Sequence, residues 1–145
     1  MQKNAQSEVG RVHCKHNIAH ALDVARIAYI ISLEDRMGLL KEHIYAAALL
    51  HDITKWQQHA SGIAHNESAV EPAGQILKDC AFEDADIAMI CRAIHNHREG
   101  PADAQSDPFS FLIFRADKLS RACYCCEGKD TCSWDDPRKN LAISY

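Results

Sequence analysis

The sequence predicts an all-α fold, a single-domain helical bundle of about five main helices, and three observations predict it. Apolar residues recur at spacings of three and four over long stretches, which is one face of a helix. Six glycines and four prolines in 145 residues are too few to punctuate a chain of short strands. Runs rich in alanine and leucine, both strong helix formers, fill the gaps. The length suits one domain with one sizeable core.

The first helix is expected from Arg11 to Leu33, where His13, His16, His20, Val24, Ile27 and Ile31 form a stripe that is histidine above and apolar below. Ala21, Ala25 and Ala28 add a second packable strip, which makes this helix central. Gly38 is suited to the positive φ of its stop. A second helix runs from Ile44 through Ala46-Ala47-Ala48-Leu49-Leu50 into His51 and Asp52, so an imidazole and a carboxylate sit at a core-facing end. Lys55 to His65 loses periodicity and is expected to be a loop carrying Trp56, His59 and His65. A third helix, capped at Ser68 or Glu71, turns Val70, Ala73, Ile76, Leu77 and Cys80 inward, with Pro72 in its first turn. Asp84 opens a fourth, whose face of Ile87, Ile90, Cys91 and Ile94 delivers His95 and His97 before Gly100-Pro101 ends it. After a polar linker, a fifth helix from Pro108 spaces Phe111, Leu112, Arg115, Lys118 and Leu119 across two faces, with Asp117 inside it. Residues 1–10 read as a frayed polar tail, 11–121 as the helical domain, and 122–145 as a cysteine-bearing tail packed on it.

A net charge of −4 lacks the footprint of a nucleic-acid binder, and no apolar run approaches the roughly 20 residues that cross a bilayer. A small-molecule substrate is favoured over nucleic acid or membrane. The polar N-terminus has no apolar segment of a secretory kind, and seven cysteines is an odd count, so reduced thiols or metal ligands in the cytoplasm are expected.

His20, the pair His51-Asp52, His97 and Asp117 each stand where an apolar helix face turns polar. Buried imidazoles and carboxylates are costly unless paired, hydrogen-bonded or coordinating a metal, and one shared cleft accounts for all of them. In this order of residues the chain resembles the HD-domain metal-dependent phosphohydrolases over roughly residues 12–121. The resemblance makes His20 the first ligand, His51-Asp52 the dyad and Asp117, in Arg115-Ala116-Asp117-Lys118-Leu119-Ser120, the last. Glycine usually stands in that family where this chain has Thr54.

Two imidazoles and two carboxylates suit Fe(II), Mn(II), Zn(II) or Co(II), with open positions for water or a phosphate oxygen. A metal there lowers the pKa of a bound water to roughly 7, so a metal-bound hydroxide attacking a phosphate ester or anhydride is the implied reaction. Asp52 and Lys55 are the expected catalytic residues, and Lys55, Arg98, Arg115 and Lys118 are placed to offset substrate phosphate, with Arg121 a further cation. The segments around His65 and His97 resemble the dinuclear subset of the superfamily, including the symmetrical diadenosine-tetraphosphate hydrolases. There His65 and His97 would complete a second metal site bridged by Asp52. His13, His16, His43, His59 and His95 are expected in stacking, surface or supporting hydrogen-bonding roles.

Cys123-x2-Cys126 with Cys132 supplies three ligands of a structural zinc site, and Cys14 is the candidate fourth because the first and fifth helices must approach. With no second C-x2-C pair, ordinary reduced thiols, some buried as small hydrophobes, are the favoured reading. The chain also resembles uncharacterised bacterial HD proteins with a cysteine-bearing tail. For the whole chain the favoured function is a hydrolase of a nucleotide or other small phosphate compound. The alternatives are a non-catalytic metal or nucleotide sensor or scaffold, and a zinc module on a helical support. Trp56, Arg98 and Phe109 are expected among the pocket walls.

Overall fold

A computed structural model describes residues 1–145 and contains helices and no strand. The helices are α1 (Gln2–Ser7), α2 (Ile18–Glu34), α3 (Lys41–Leu50), α4 (Lys55–Ser61), α5 (His65–Ser68), α6 (Val70–Asp79), α7 (Asp84–Asn96) and α8 (Pro108–Leu119). The five that reach ten residues or more, α2, α3, α6, α7 and α8, are the expected main helices.

Helix α2 packs on α3 and α8, and α7 packs on α3, α6 and α8. Ala21, Val24, Ala25 and Ala28 of α2 and Ala47 and Ala48 of α3 are fully buried, so small side chains bring these helices close. Together the five helices enclose 18 buried apolar residues. The start of α2 and the ends of α3, α7 and α8 meet at one end of this core, which is where the chemistry-bearing residues lie.

Several boundaries differ from the sequence expectation for local reasons. Helix α2 begins at Ile18, not Arg11, because Asn17 caps it, its Oδ1 accepting the His20 N–H at 3.1 Å. His13 and His16 therefore precede the helix. Gly38 does adopt a positive φ, +68°, although Arg36 at +51° already turns the chain. The expected loop after Lys55 contains α4, closed by Gly62 at φ +76°. None of α4's residues is buried, so it carries no apolar stripe for a sequence to reveal. Helix α6 uses neither Ser68 nor Glu71 as a cap, since Ala69 is itself helical and joins it to α5. On α6 only Ala73 and Leu77 are buried; Ile76, about 100° round from Leu77, faces out, as does Cys80. On α8 Phe109, Leu112 and Ile113 are buried and Phe111 is exposed.

Residues 1–10 are not a frayed tail. Asn4 and Glu8 are buried, and Lys3 Nζ sits 4.4 Å above the Trp56 ring. Asn4 Nδ2 donates to the carbonyls of Asp52 (2.7 Å) and His16 (3.2 Å), and its Oδ1 accepts the Trp56 N–H (3.1 Å). One side chain thus ties the dyad turn to two other segments. Asn4→Ala is expected to leave those backbone groups unpaired and to cost about 2–4 kcal/mol in chemical denaturation. A loss below half a kilocalorie per mole would show that α1 is not anchored this way.

Beyond α8 the chain forms short 3-10 turns at Cys123–Cys125, Lys129–Thr131 and Asp136–Arg138. Asn140 Nδ2 returns to the carbonyls of Lys118, Leu119 and Arg121 at 2.7, 3.2 and 2.9 Å. No helix is long and apolar enough to cross a membrane.

Candidate metal centre

His20 enters from the first turn of α2, His51 and Asp52 from the end of α3, His65 from α5, His97 from just past α7, and Asp117 from the last turn of α8. All six are buried. Two groups close enough to hold a metal ion share Asp52. His20, His51 and Asp52 form one, and Asp52, His65 and His97 the other.

Each imidazole is oriented by its outer nitrogen. His51 Nδ1 donates to the Ala48 carbonyl (2.7 Å) and His97 Nδ1 to the Ile94 carbonyl (2.5 Å). His65 Nδ1 donates to Gln58 Oε1 (2.5 Å). Ser120 Oγ gives its proton to the Asp117 carbonyl (2.8 Å) and so accepts from His20 Nδ1 (3.2 Å). Carbonyl oxygens only accept, so in the neutral rings Nε2 carries a lone pair and points inward.

Those lone pairs face other acceptors. Asp52 Oδ2 lies 3.0 Å from His51 Nε2 and 3.6 Å from His20 Nε2, while Oδ1 lies 3.0 Å from His65 Nε2 and 3.7 Å from His97 Nε2. His65 and His97 bring their Nε2 atoms within 3.0 Å of each other. His20 Nε2, His51 Nε2 and both Asp52 oxygens are buried with no hydrogen-bond donor or acceptor assigned to them. Acceptors held this close repel unless a proton or a cation lies between them, and a borderline N/O donor set of this kind fits a divalent transition metal.

The buried groups also act strongly on one another. Burial works against a charge on Asp52, yet the surrounding histidines outweigh it and hold its pKa well below the carboxylate range. Burial would lower the His51 pKa, but Asp52 and then Asp117 raise it. For His65 burial prevails over Asp52 and brings the pKa down to about 4, so this ring is neutral near pH 7.

Asp117 stands at the edge of the first set, with Oδ1 3.2 Å from His20 Nε2 and 3.8 Å from His51 Nε2. Arg121 Nη2 also reaches Oδ1 (2.5 Å) and Lys118 Nζ reaches Oδ2 (2.7 Å). Arg121 thereby holds the Asp117 carboxyl well below its usual pKa against the effect of burial.

Asp52, His65, His97 and Asp117 form the floor of a cleft of 380 Å³ whose walls carry Arg11, Lys55, Arg98, Lys118 and Arg121. The HD-domain family model matches residues 17–122, the span that builds this floor. The chain belongs to the HD-domain family. An uncharacterised protein of Clostridium beijerinckii is 43% identical over all 145 residues, which make up 90% of that protein. A solved structure of a predicted HD superfamily hydrolase from an uncultured Thermotogales bacterium aligns with a TM-score of 0.60 at 28% identity. That alignment covers 72% of this chain and 56% of the other, so the chain spans little more than half the length of that hydrolase.

The HD turn departs from glycine at Thr54 without strain, since its φ is −105°. Thr54 Oγ1 donates to the His65 carbonyl (3.0 Å) and accepts from Ser68 Oγ (2.8 Å). The substitution thus links the HD turn to the segment carrying the next histidine.

Of the expected phosphate-facing cations, Lys55, Arg98 and Lys118 line the HD cleft and Arg115 does not. Arg115 pairs with Asp35 at 3.7 Å and its Nη2 donates to the Tyr145 hydroxyl at 3.5 Å. Two residues before Asp117 on the same helix, it points away from that carboxylate. Trp56 lies beneath Lys3 and Phe109 is in the core, so neither walls the cleft. Trp134, Ser133 and Thr131 of the tail do so instead. Of the remaining histidines, His43 faces Asp86 (3.4 Å), His59 faces Glu8 (3.5 Å), His95 is exposed and His13 meets Thr131 Oγ1 (3.1 Å).

Sequence reasoning missed the Glu8–His16 pair. His16 lines the cleft, and its backbone N–H and Nδ1 donate to Glu8 at 2.7 and 2.5 Å. Burial would raise the Glu8 pKa, but these hydrogen bonds bring it down to about 2. Nothing in the polar segment 1–10 announces such a contact. Cys14, Cys123, Cys126 and Cys132 line a neighbouring pocket of 290 Å³, but their sulfurs are not gathered as the HD ligand sets are.

Proposed function

We propose that this HD-domain chain is a metal-dependent phosphohydrolase that cleaves a phosphate ester or anhydride in a small, nucleotide-like substrate. The observation that carries this reading is the set of inward Nε2 lone pairs around the two oxygens of Asp52, on the floor of a cation-walled cleft. His20, His51, Asp52 and Asp117 would hold one divalent ion, and His65 and His97 with Asp52 a second. Bound there, such an ion supplies a Lewis acid for a phosphoryl oxygen and acidifies a water.

The chain's own residues supply the rest. The backbone carbonyls of Ala48 and Ile94 fix two ring orientations before substrate arrives, which saves reorganisation during the reaction. Lys55, Arg98, Lys118 and Arg121 give the cleft positive walls that offset the phosphate charge an acidic floor would repel. Lys55 Nζ is steadied by Gln58 Oε1 (3.4 Å), the oxygen that also orients His65. Trp134 adds an aromatic face at the same wall, which favours a substrate carrying a flat base.

Purified protein incubated with phosphorylated metabolites and Mn(II), Fe(II), Co(II) or Zn(II) tests the proposal. Metal-dependent release of phosphate or a nucleotide product is expected. Tight binding of nucleotide and metal with no turnover of any phosphorylated compound would overturn it in favour of a sensor.

A further inference from the structure

We propose that Cys14, Cys123, Cys126 and Cys132 bind a structural zinc ion that staples the C-terminal tail to the segment preceding α2. The site lies beside the HD cleft and goes beyond the hydrolase reading. Four of the seven cysteines line this one pocket, although Cys14 is more than a hundred residues from the others; Cys80, Cys91 and Cys125 lie elsewhere. The close approach is built into the backbone. Gly128 is buried against Val12 and His13, and a Cβ there would lie 3.0 Å from side-chain atoms of both. A side chain at 128 would crowd Val12 and His13, the residues just before Cys14.

Two independent features point to a bound thiolate cluster. The first is charge. The pocket carries Lys15, Arg121, Lys129 and Lys139 against Asp23, on a chain whose net charge is −4. Four thiolates around a divalent ion leave a charge of −2, which such a wall would balance, and nearby cations also favour thiolate over thiol. The second is the lack of an apolar anchor, since polar contacts such as those of Asn140 and Thr131 are what tie the tail down. Among residues 122–145 only Cys123 and Gly128 are buried, none belongs to the core, and Leu141 and Ile143 are exposed. A segment held by polar contacts alone gains most from a metal staple.

Zinc suits the donors, because thiolates are soft and a C-x2-C pair followed by a third cysteine is a usual arrangement. Tetrahedral zinc at about 2.3 Å from each sulfur sets the sulfurs about 3.8 Å apart. The sulfurs here are spread round the pocket, so ligation draws the turns at 123–125 and 129–131 inward and releases the thiol protons to solvent. Ser133 and Trp134 follow Cys132 directly and wall the HD cleft, so the staple also sets that wall.

The test uses the full chain, its Asp52→Ala variant and a Cys123→Ser/Cys126→Ser double variant. Elemental analysis should find a tightly held zinc in Asp52→Ala, where the HD centre is disabled, and one zinc fewer in the double variant than in the wild type. Reconstitution with Co(II) should give sulfur-to-cobalt charge-transfer absorption in the wild type and in Asp52→Ala, since the HD ligands contain no sulfur. If the double variant does not fold, thiol labelling of the wild type decides. Cys80 and Cys125 should react at once, and Cys14, Cys123, Cys126 and Cys132 only after a chelator is added. Absence of the absorption in wild type, its persistence in a folded double variant, equal labelling of all exposed and pocket thiols, or a disulfide among the four would overturn the proposal. Because Asp52→Ala disables the HD centre alone, failure of the hydrolase reading leaves this result unaffected.

Discussion

Asp52→Ala is expected to abolish metal binding at the HD centre and turnover together. Its two oxygens serve different ligand sets, Oδ2 facing His51 at 3.0 Å and Oδ1 facing His65 at 3.0 Å, so a single substitution opens both. No neighbour can take its place, because the other buried carboxylates are engaged, Asp117 by Arg121 and Lys118 and Glu8 by His16. Titration calorimetry with Mn(II) or Co(II) and a phosphate-release assay measure the two losses. His97→Ala provides the control, since it touches only the second set and should reduce the number of ions bound at the HD centre without emptying it. Metal binding at wild-type affinity in Asp52→Ala would refute the assignment.

Lys55→Ala should separate charge from coordination. Lys55 lines the cleft but is not in either ligand set, and an ammonium cannot coordinate a metal. Burial lowers its pKa and the nearby Asp52 carboxylate opposes that shift, which places this lysine in the field of the site without making it a ligand. The variant should keep wild-type metal content and lose about 2–4 kcal/mol of transition-state stabilisation, roughly 30- to 1,000-fold in rate. Its unfolding midpoint should change little, because Nζ donates only to Gln58 Oε1 (3.4 Å) and otherwise lies beside His65 Nδ1 (3.2 Å), whose proton goes to that same oxygen. The diagnostic pattern is a fall in kcat with metal retained. Wild-type turnover in Lys55→Ala would remove this residue from the mechanism, and loss of metal would make it a structural support of His65 instead.

Where the helices carry a one-sided apolar stripe, the sequence exposed them. Val24, Ile27 and Ile31 on α2 and Ile90 and Ile94 on α7 sit in the core at the spacing that marks them as helical. The histidines and aspartates at the ends of those stripes stood out for the same reason, a costly polar group at the edge of an apolar run. Helix α4 escaped notice because it buries no residue, and α1 because what it buries is Asn4, a polar side chain whose partners lie 12, 48 and 52 residues away. Arg115 looked equivalent to Lys118 in a list of cations and is not, since helical phase turns it toward Asp35.

The sequence by itself determined the helical class, the five long helices and the residue types of the metal centre, because periodicity and burial cost act locally and leave a mark at every turn. Only the tertiary structure decided that the two oxygens of Asp52 face different histidine pairs and that Asn4 and Glu8 are buried in the N-terminal segment beside the cleft. It also decided that Trp134 walls the cleft and that four cysteines share one pocket. Those features depend on where segments separated by tens of residues come to rest once the core has packed, and hydrogen bonds between such segments have no period along the chain.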